Sequence, residues 1–317
     1  MAATAASIGP DDERFRTPGA ETQWSDSFYF GGGDPRGTVF YTRIGRRPNE
    51  GRIEAALGLW LPDGRFVLVF SRAQDREGDA VAAGPLRYTC EQPFALWTVD
   101  VDGAGAAFPR AEALAGGRDA ATPVAVRGRL RFMAWDDPIS IGLAGVRGVA
   151  DRHYEQAGSV AGVLEVDGVR LPLAGAGLRD HSWGVRDWQG VPWWRWFGMV
   201  VDPDTYLLAN EIGTPGGEAA AGGWMQRDGE GAPVVACTSA TEYDPDLGCQ
   251  RRFTVRVRDA LGREARLDGE AVAVAPLRQR RDGRLTHVNE GLTRLRWDGH
   301  EGLGVSEYLI QSEETDA

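Results

Sequence analysis

A chain of 317 residues, 42% of them apolar and 26% charged, has the composition of a globular protein and is long enough for two domains of about 150 residues each. Its net charge of −11 argues against nucleic acid as a partner, because phosphate recognition needs clustered positive charge. Every basic residue is Arg, so no lysine is available to form a Schiff base or act as a general base.

In chain order, residues 1–20 read as a flexible N-terminus. Met1 to Pro10 lacks the basic start and apolar core of a secretory signal. No run of roughly 18 apolar residues could span a membrane, so a cytoplasmic location is expected. Gly31-Gly32-Gly33-Asp34-Pro35 is no phosphate loop, since neither helix nor lysine follows it. Tyr41 to Gly51 reads as a strand running into a charged turn. It is either a solvated hairpin or a place from which Arg43 or Arg46 reaches an acid of the other half. Ile53, Ala55, Leu57, Leu59 and Leu61 alternate along a strand, Pro62-Asp63-Gly64 turns the chain, and Phe66 to Phe70 forms the next strand. The best helical candidate, Pro109 to Ala115, is short and stops at Gly116-Gly117. Val126, Gly128, Leu130 and Phe132 alternate with arginines. After a loop containing Gly142, Gly145 and Gly148 comes the clearest hairpin, Val160–Val166 and Val169–Leu173 around Asp167-Gly168. Phe253, Val255 and Val257 alternate again, and Asp282-Gly283 and Asp298-Gly299 mark later turns.

Many short strands with turns about every ten residues predict an all-β chain. The expected architecture is two lipocalin-like antiparallel barrel or sandwich domains packed side by side, residues 21–148 and 149–311. Each barrel would hold about one small ligand.

The chemistry concentrates in Arg179-Asp180-His181-Ser182-Trp183-Gly184-Val185-Arg186-Asp187-Trp188, followed by Trp193, Trp194 and Trp196. On a strand, His181, Trp183 and Asp187 share one face and Asp180, Arg186 and Trp188 the other, before any bulge at Gly184. A carboxyl enclosed by indoles is desolvated and becomes a proton donor, a neighbouring imidazole can relay the proton, and indole faces stabilise a developing cation. The candidate catalytic residues are therefore Asp180 as acid, His181 as relay or base, Asp187 and Arg186 as orienting groups, and His153 and Glu155 as secondary candidates. Trp183, Trp188, Trp194, Trp196, Tyr154 and Arg43 are the candidate substrate-binding residues. The structural alternative is a tryptophan–arginine plug, Trp183 with Arg186 or Trp196 with Arg195, closing a barrel end. Glu290 and Glu307 read as surface or interface acids. The four histidines lack i, i+2 or i, i+4 spacing, and Cys90, Cys237 and Cys249 lack metal-like spacing, so neither metal nor cofactor is expected. No Gly-x-Ser-x-Gly elbow, Cys–His pair or dinucleotide fingerprint appears.

His153-Tyr154-Glu155-Gln156-Ala157-Gly158, a hairpin, and then Gly177 to Trp188 resemble an uncharacterised bacterial family of paired β-barrel proteins. That family is similar to the carotenoid 1,2-hydratase (hydroxyneurosporene synthase) and AttH-like group, through Asp180, His181, Trp183 and Gly184. The wider group includes cofactor-free hydratases of isoprenoid double bonds and fungal relatives that steer cycloadditions between the barrels. Arg186-Asp187-Trp188, directly after the shared core, is not part of the hydratase pattern. The resemblance implies the core lies on a strand of the second barrel.

The reading is a cofactor-independent lyase or isomerase, by hydration, dehydration, double-bond shift or cyclisation, on an apolar isoprenoid- or polyketide-like molecule. The alternatives are a non-catalytic carrier of an apolar metabolite and a scaffold protein. The expected partners are an apolar small molecule and, at most, a second copy in a homodimer. The expected pocket lies between the halves, with Tyr41–Gly51 and Arg179–Trp188 facing each other across it.

Overall fold

In a computed structural model, residues 8–313 are described apart from 77, 79, 142–147, 188 and 282. Among the described residues the expected alternation appears as nineteen strands, all antiparallel to their neighbours. β1 (Trp24–Gly33), β2 (Val39–Arg47), β3 (Arg52–Trp60), β4 (Phe66–Gln74), β5 (Val81–Ala83), β6 (Leu86–Gln92) and β7 (Leu96–Phe108) come first. β8 (Thr122–Ala134), β9 (Ile139–Ser140), β10 (Arg152–Val166) and β11 (Val169–Val185) complete the first sheet. Its order is β4-β3-β2-β1-β11-β10-β8-β7-β6-β5, with β9 beside β10. Phe66–Leu68 of β4 also pair with Ala106–Phe108 of β7, which rolls the sheet into a barrel.

β12 (Trp193–Asp202), β13 (Thr205–Gly213), β14 (Ala219–Arg227), β15 (Glu230–Tyr243), β16 (Gln250–Asp259), β17 (Glu264–Arg281), β18 (Arg284–Trp297) and β19 (His300–Glu313) follow. They close on themselves as an eight-stranded barrel, β19 pairing back with β12. The hairpins at Asp167-Gly168 and Asp298-Gly299 turn through two consecutive positive φ angles, 48° and 80° in the first and 54° and 84° in the second. That is the tight turn whose twist matches the strands it joins. The fold is thus the expected pair of lipocalin-like β units.

The boundary differs from the expectation. β10 and β11 hydrogen-bond into the first sheet, β11 lying beside β1 from Trp24↔Val185 to Gly32↔Gly177. The chain therefore crosses to the second unit between Val185 and Trp193, not at residue 149, and Asp180-His181-Ser182-Trp183-Gly184 belongs to the first unit. A glycine-rich loop before a strong hairpin is a local signal; the sheet that accepts the hairpin is chosen by β1, far away in sequence.

The N-terminus also departs from the flexible stretch expected, as far as it is described. Pro10–Glu13 forms a 3-10 turn, and Asp12, Glu13 and Phe15 are buried. The helical candidate at Pro109 to Ala115 appears as a 3-10 stretch, Ala111–Ala120, broken where Gly117 takes φ 82°. Its Glu112 accepts a hydrogen bond from the Val274 backbone of β17, tying the two units together.

Among the described residues, alternation divides the buried apolar ones among four clusters, the smallest of them Val149, Val191, Trp194, Ile212, Val288 and Leu309. Phe28, Phe30, Ile44, Leu57, Trp97 and Phe132 fill the first barrel. Phe197, Met199, Leu207, Phe253, Leu295 and Tyr308 fill the second. The residues between them in sequence, Tyr29, Tyr41, Trp60 and Leu178 from one unit and Trp196, Tyr206, Leu292 and Val305 from the other, form a shared core where the units meet. No helix among the described residues is long and apolar enough to cross a membrane.

Candidate functional site

Adjacent residues on a strand point to opposite faces, and β11 divides its chemistry accordingly. Arg179, His181 and Trp183 point into the first barrel, while Asp180 and Ser182 face the second unit. Directly paired residues share a face, so Glu155, Asp180, Tyr29 and Arg43 form a row across β10, β11, β1 and β2. Beside it runs the row His153, Ser182, Ser27 and Gly45. Gly45 leaves room for Arg43: a Cβ there would lie 2.4 Å from the Arg43 guanidinium.

The opposing wall belongs to the second barrel. Asn210, Trp196, Glu307 and Glu290 form a row across β13, β12, β19 and β18. Ile212, Trp194, Leu309 and Val288 form the next. Between the walls lies a cleft lined by Ser27, Tyr29, Arg43, His153, Asp180 and Arg186 on one side and Trp194, Trp196, Asn210 and Glu307 on the other. It offers about 90 Å³ to water-sized groups and about 690 Å³ including its open mouth. A crevice where two units meet is a common place for a ligand.

Glu155, 1% exposed, anchors the floor. Its Oε1 accepts from Trp196 Nε1 at 3.0 Å across the interface and from His153 Nε2 at 3.1 Å, with a longer contact to Asn210 Nδ2 at 3.5 Å. Its Oε2 has no hydrogen-bond partner among the described residues. Burial raises the Asp180 pKa above the usual carboxylate value; the His153 charge opposes this and the Glu155 charge adds to it. Burial would lower the pKa of His153, but the Glu155 hydrogen bond and the Asp180 and Glu155 charges outweigh it and raise the value. An imidazole and two carboxyls thus stand side by side.

Arg186 leaves the end of β11 and turns back to the cleft, donating to the Val149 carbonyl at 2.6 Å and to Ser182 Oγ at 2.9 Å. Burial and the nearby Arg43 charge lower its pKa to about 10. These two bonds brace it at the cleft rim. Trp194 donates through Nε1 to Glu307. The edge contact of Trp196 with Tyr29, 6.0 Å between ring centroids, joins the walls.

The cleft therefore assembles Asp180, His153, Glu155, Arg186, Arg43, Trp194 and Trp196 from the residues expected. It excludes others. His181 is fully buried in the first barrel, stacked on Phe28 at 3.8 Å, with Nε2 on Asp26 and Nδ1 on the Asp12 carbonyl, each at 2.7 Å. It cannot relay a proton for Asp180, because strand alternation sends the two side chains apart; His153 is the imidazole on the Asp180 face. Tyr154 also points inward, its hydroxyl donating to Glu13. Trp183 packs against His181 between Arg16 and Arg152. Asp187 caps a turn, accepting from Gln189 N at 3.2 Å. Trp188 lies outside the described residues. Tyr41–Gly51 and Arg179–Trp188 do not face each other: β2 and β11 flank β1 on one wall.

The arginine-on-tryptophan contact expected as a plug occurs with a different ring, Arg195 stacking 4.7 Å from Trp193. Arg195 reaches Glu211 and Ser239, away from the cleft. Sequence reasoning passed over Tyr29, Glu290 and Glu307 as site residues. A signal was present: Glu290 sits between Val288 and Leu292, and Glu307 between Val305 and Leu309, each an acid in an apolar face. Among the described residues, no three His, Cys, Asp or Glu side chains converge as a metal ion requires.

Solved structures share this architecture. A putative AttH from Nitrosomonas europaea superposes with a TM-score of 0.65 at 14% identity, covering 97% of each chain. Kievitone hydratase from Nectria haematococca gives 0.59 at 10% identity, covering 92% of this chain and 89% of its own. CghA, seen with Sch210972, gives 0.54 at 12% identity over the same shares. These likenesses establish the expected kinship of fold with AttH-like and hydratase proteins. No protein of curated function matches in sequence. The family described as domain of unknown function (DUF7064) matches residues 9–312, and the chain belongs to that family.

Proposed function

We propose that the chain is a cofactor-independent lyase or isomerase, hydrating, dehydrating, isomerising or cyclising an apolar small molecule in the cleft between its two units. The observation that carries this reading is Asp180: a carboxyl of raised proton affinity, beside His153 and Glu155, opposite an indole wall. A carboxyl of raised proton affinity is suited to protonate a hydroxyl leaving group. His153 takes the relay role expected of His181. The faces of Trp194 and Trp196 favour positive charge developing on the substrate. Kievitone hydratase, similar in fold, is a hydratase by name. Substrate of isoprenoid or polyketide type fits a wall of indoles with polar groups at one end.

The test is mass-spectrometric turnover in deuterated water, without added cofactor, on isoprenoid alkenes and alcohols, with wild type beside Asp180→Asn. Deuterium uptake or a water-sized mass change by wild type, lost about a hundredfold or more in the variant, is expected. Equal turnover by the two proteins would remove Asp180 from the chemistry. Quenching of tryptophan fluorescence by compounds that never turn over would identify a carrier.

A further inference from the structure

Glu307 lines the cleft between the units, and Glu290 stands directly opposite it, on β18 beside β19. Glu290 is 3% exposed, and no donor reaches its Oε2 among the described residues. From the neighbouring strand β17 it meets only Ala275 in register. The charges that reach it are Glu307 on β19, Asp180 on β11 and Arg43 on β2. The buried hydroxyls of Tyr29 and Tyr41 lie near the same pair. Two ionised carboxylates cannot share so buried a place, since each disfavours the charge of the other.

Burial, and after it the Glu307 charge, push the Glu290 pKa well above the usual carboxylate value. Glu290 is thus the acid of the pair that holds a proton more tightly, with Glu307 as its neighbour across the strands. Glu307 lines the cleft and also accepts from Trp194 Nε1. An independent observation points to a ligand at the same place. The Tyr29 hydroxyl, on a residue only 7% exposed that lines the cleft, has no hydrogen-bond partner among the described residues. A substrate oxygen would give it one.

We propose that Glu307, which lines the cleft, stands directly across from the buried Glu290 and accepts from the Trp194 indole, is the base of the cleft and works opposite Asp180. The proposal rests on the acid–base reading above and adds its second half. In a dehydration, Asp180 gives its proton to the leaving hydroxyl and the C–O bond breaks, releasing water. Glu307 takes the proton from the adjacent carbon, and that C–H electron pair becomes the double bond. Asp180 ends as a carboxylate and the glutamate pair ends with two protons; exchange with water restores both. Hydration is the same sequence reversed. Because the two groups come from opposite walls, hydrogen and hydroxyl leave from opposite faces of the substrate. Glu307 touches the substrate, and Glu290 positions it.

Infrared spectroscopy of the full chain, with kinetics of three variants, tests this. A carbonyl-stretch band of a protonated carboxyl should be present at neutral pH and lost in Glu290→Gln. In Glu307→Gln the band should survive but disappear at lower pH than in wild type, since the charge that holds the proton is gone. Glu307→Gln should lose turnover about a hundredfold with KM little changed. Glu290→Gln, which keeps a donor for Glu307, should stay within about tenfold of wild type. A neutral-pH spectrum without a band that Glu290→Gln removes would overturn the proposal. So would wild-type turnover by Glu307→Gln while Asp180→Asn is silent, and that result would leave the acid–base reading standing. Absence of turnover by wild type with every compound would overturn both.

Discussion

Asp180 and His181 are neighbours in sequence with opposite environments, so their substitutions should fail differently. Asp180 has a folded-state pKa raised by burial, which means ionisation costs stability. That cost is absent below the unfolded value of about 3.9 and grows as pH rises through the folded value. Asp180→Asn should therefore lose turnover yet resist denaturant better than wild type near neutral pH, with the gap closing in acid. His181→Ala should cost about 3 kcal/mol, since it strips the fully buried Asp26 of a hydrogen-bond partner and opens a void beside Phe28. Denaturant midpoints for both variants at acid and neutral pH separate the two roles; equal losses of stability would contradict them. His153 provides a second check. Its raised pKa means it contributes stability fully below the unfolded value of about 6.5, and this is lost as pH rises through the folded one. In Glu155→Gln the largest of its raising interactions weakens, so the imidazole should titrate at lower pH by NMR.

At the scale of elements, the N-terminal turn Pro10–Glu13 is held by the strand that carries the cleft. Glu13 accepts from Arg179 at 2.7 Å, from Trp97 Nε1 at 2.8 Å and from the Phe94 backbone at 2.9 Å. His181 holds the Asp12 carbonyl, and the Arg16 backbone donates to Asp26 at 2.6 Å. Inward-facing residues of β11 thus seat this segment while outward-facing ones line the cleft. Burial raises the Glu13 pKa, but the Arg179 charge, with the Tyr154, Phe94 and Arg179 hydrogen bonds, more than offsets it and leaves it lowered. A lowered carboxylate contributes stability that is present above the unfolded value of about 4.3 and lost as pH falls through the folded one. Glu13→Gln should cost about 3–5 kcal/mol near neutral pH, because Arg179 is 0% exposed and would keep an uncompensated charge. The loss should shrink in acid. A denaturation series that gives a cost independent of pH would rule out this ion pair as its origin.

For the whole molecule, the sheet order makes a prediction about fragments. A chain ending at residue 148 lacks β10 and β11, which separate β1 from β8. It should show no cooperative unfolding by circular dichroism, whereas a chain ending at residue 187 keeps the first sheet entire and should unfold in one transition. A cooperative 1–148 fragment would mean that the barrel can close without its central hairpin. Period-two alternation by itself determined that the chain is all-β, where its tightest hairpins turn, and that Asp180 and His181 take opposite faces of a strand, though His181 was still expected as the relay. It also marked the densest chemistry, since indoles, carboxyls and an imidazole crowd residues 180–196. These features are local, because the side-chain period belongs to the extended backbone itself. Only the tertiary structure decided that β11 pairs with β1, which face of β11 meets the second barrel, and that His153 rather than His181 lines the cleft with Asp180. It alone brought Glu290 and Glu307 to the other wall of the cleft. Strand pairing between distant segments depends on which apolar faces bury together, and alternation along one strand records that a face is buried without saying against what.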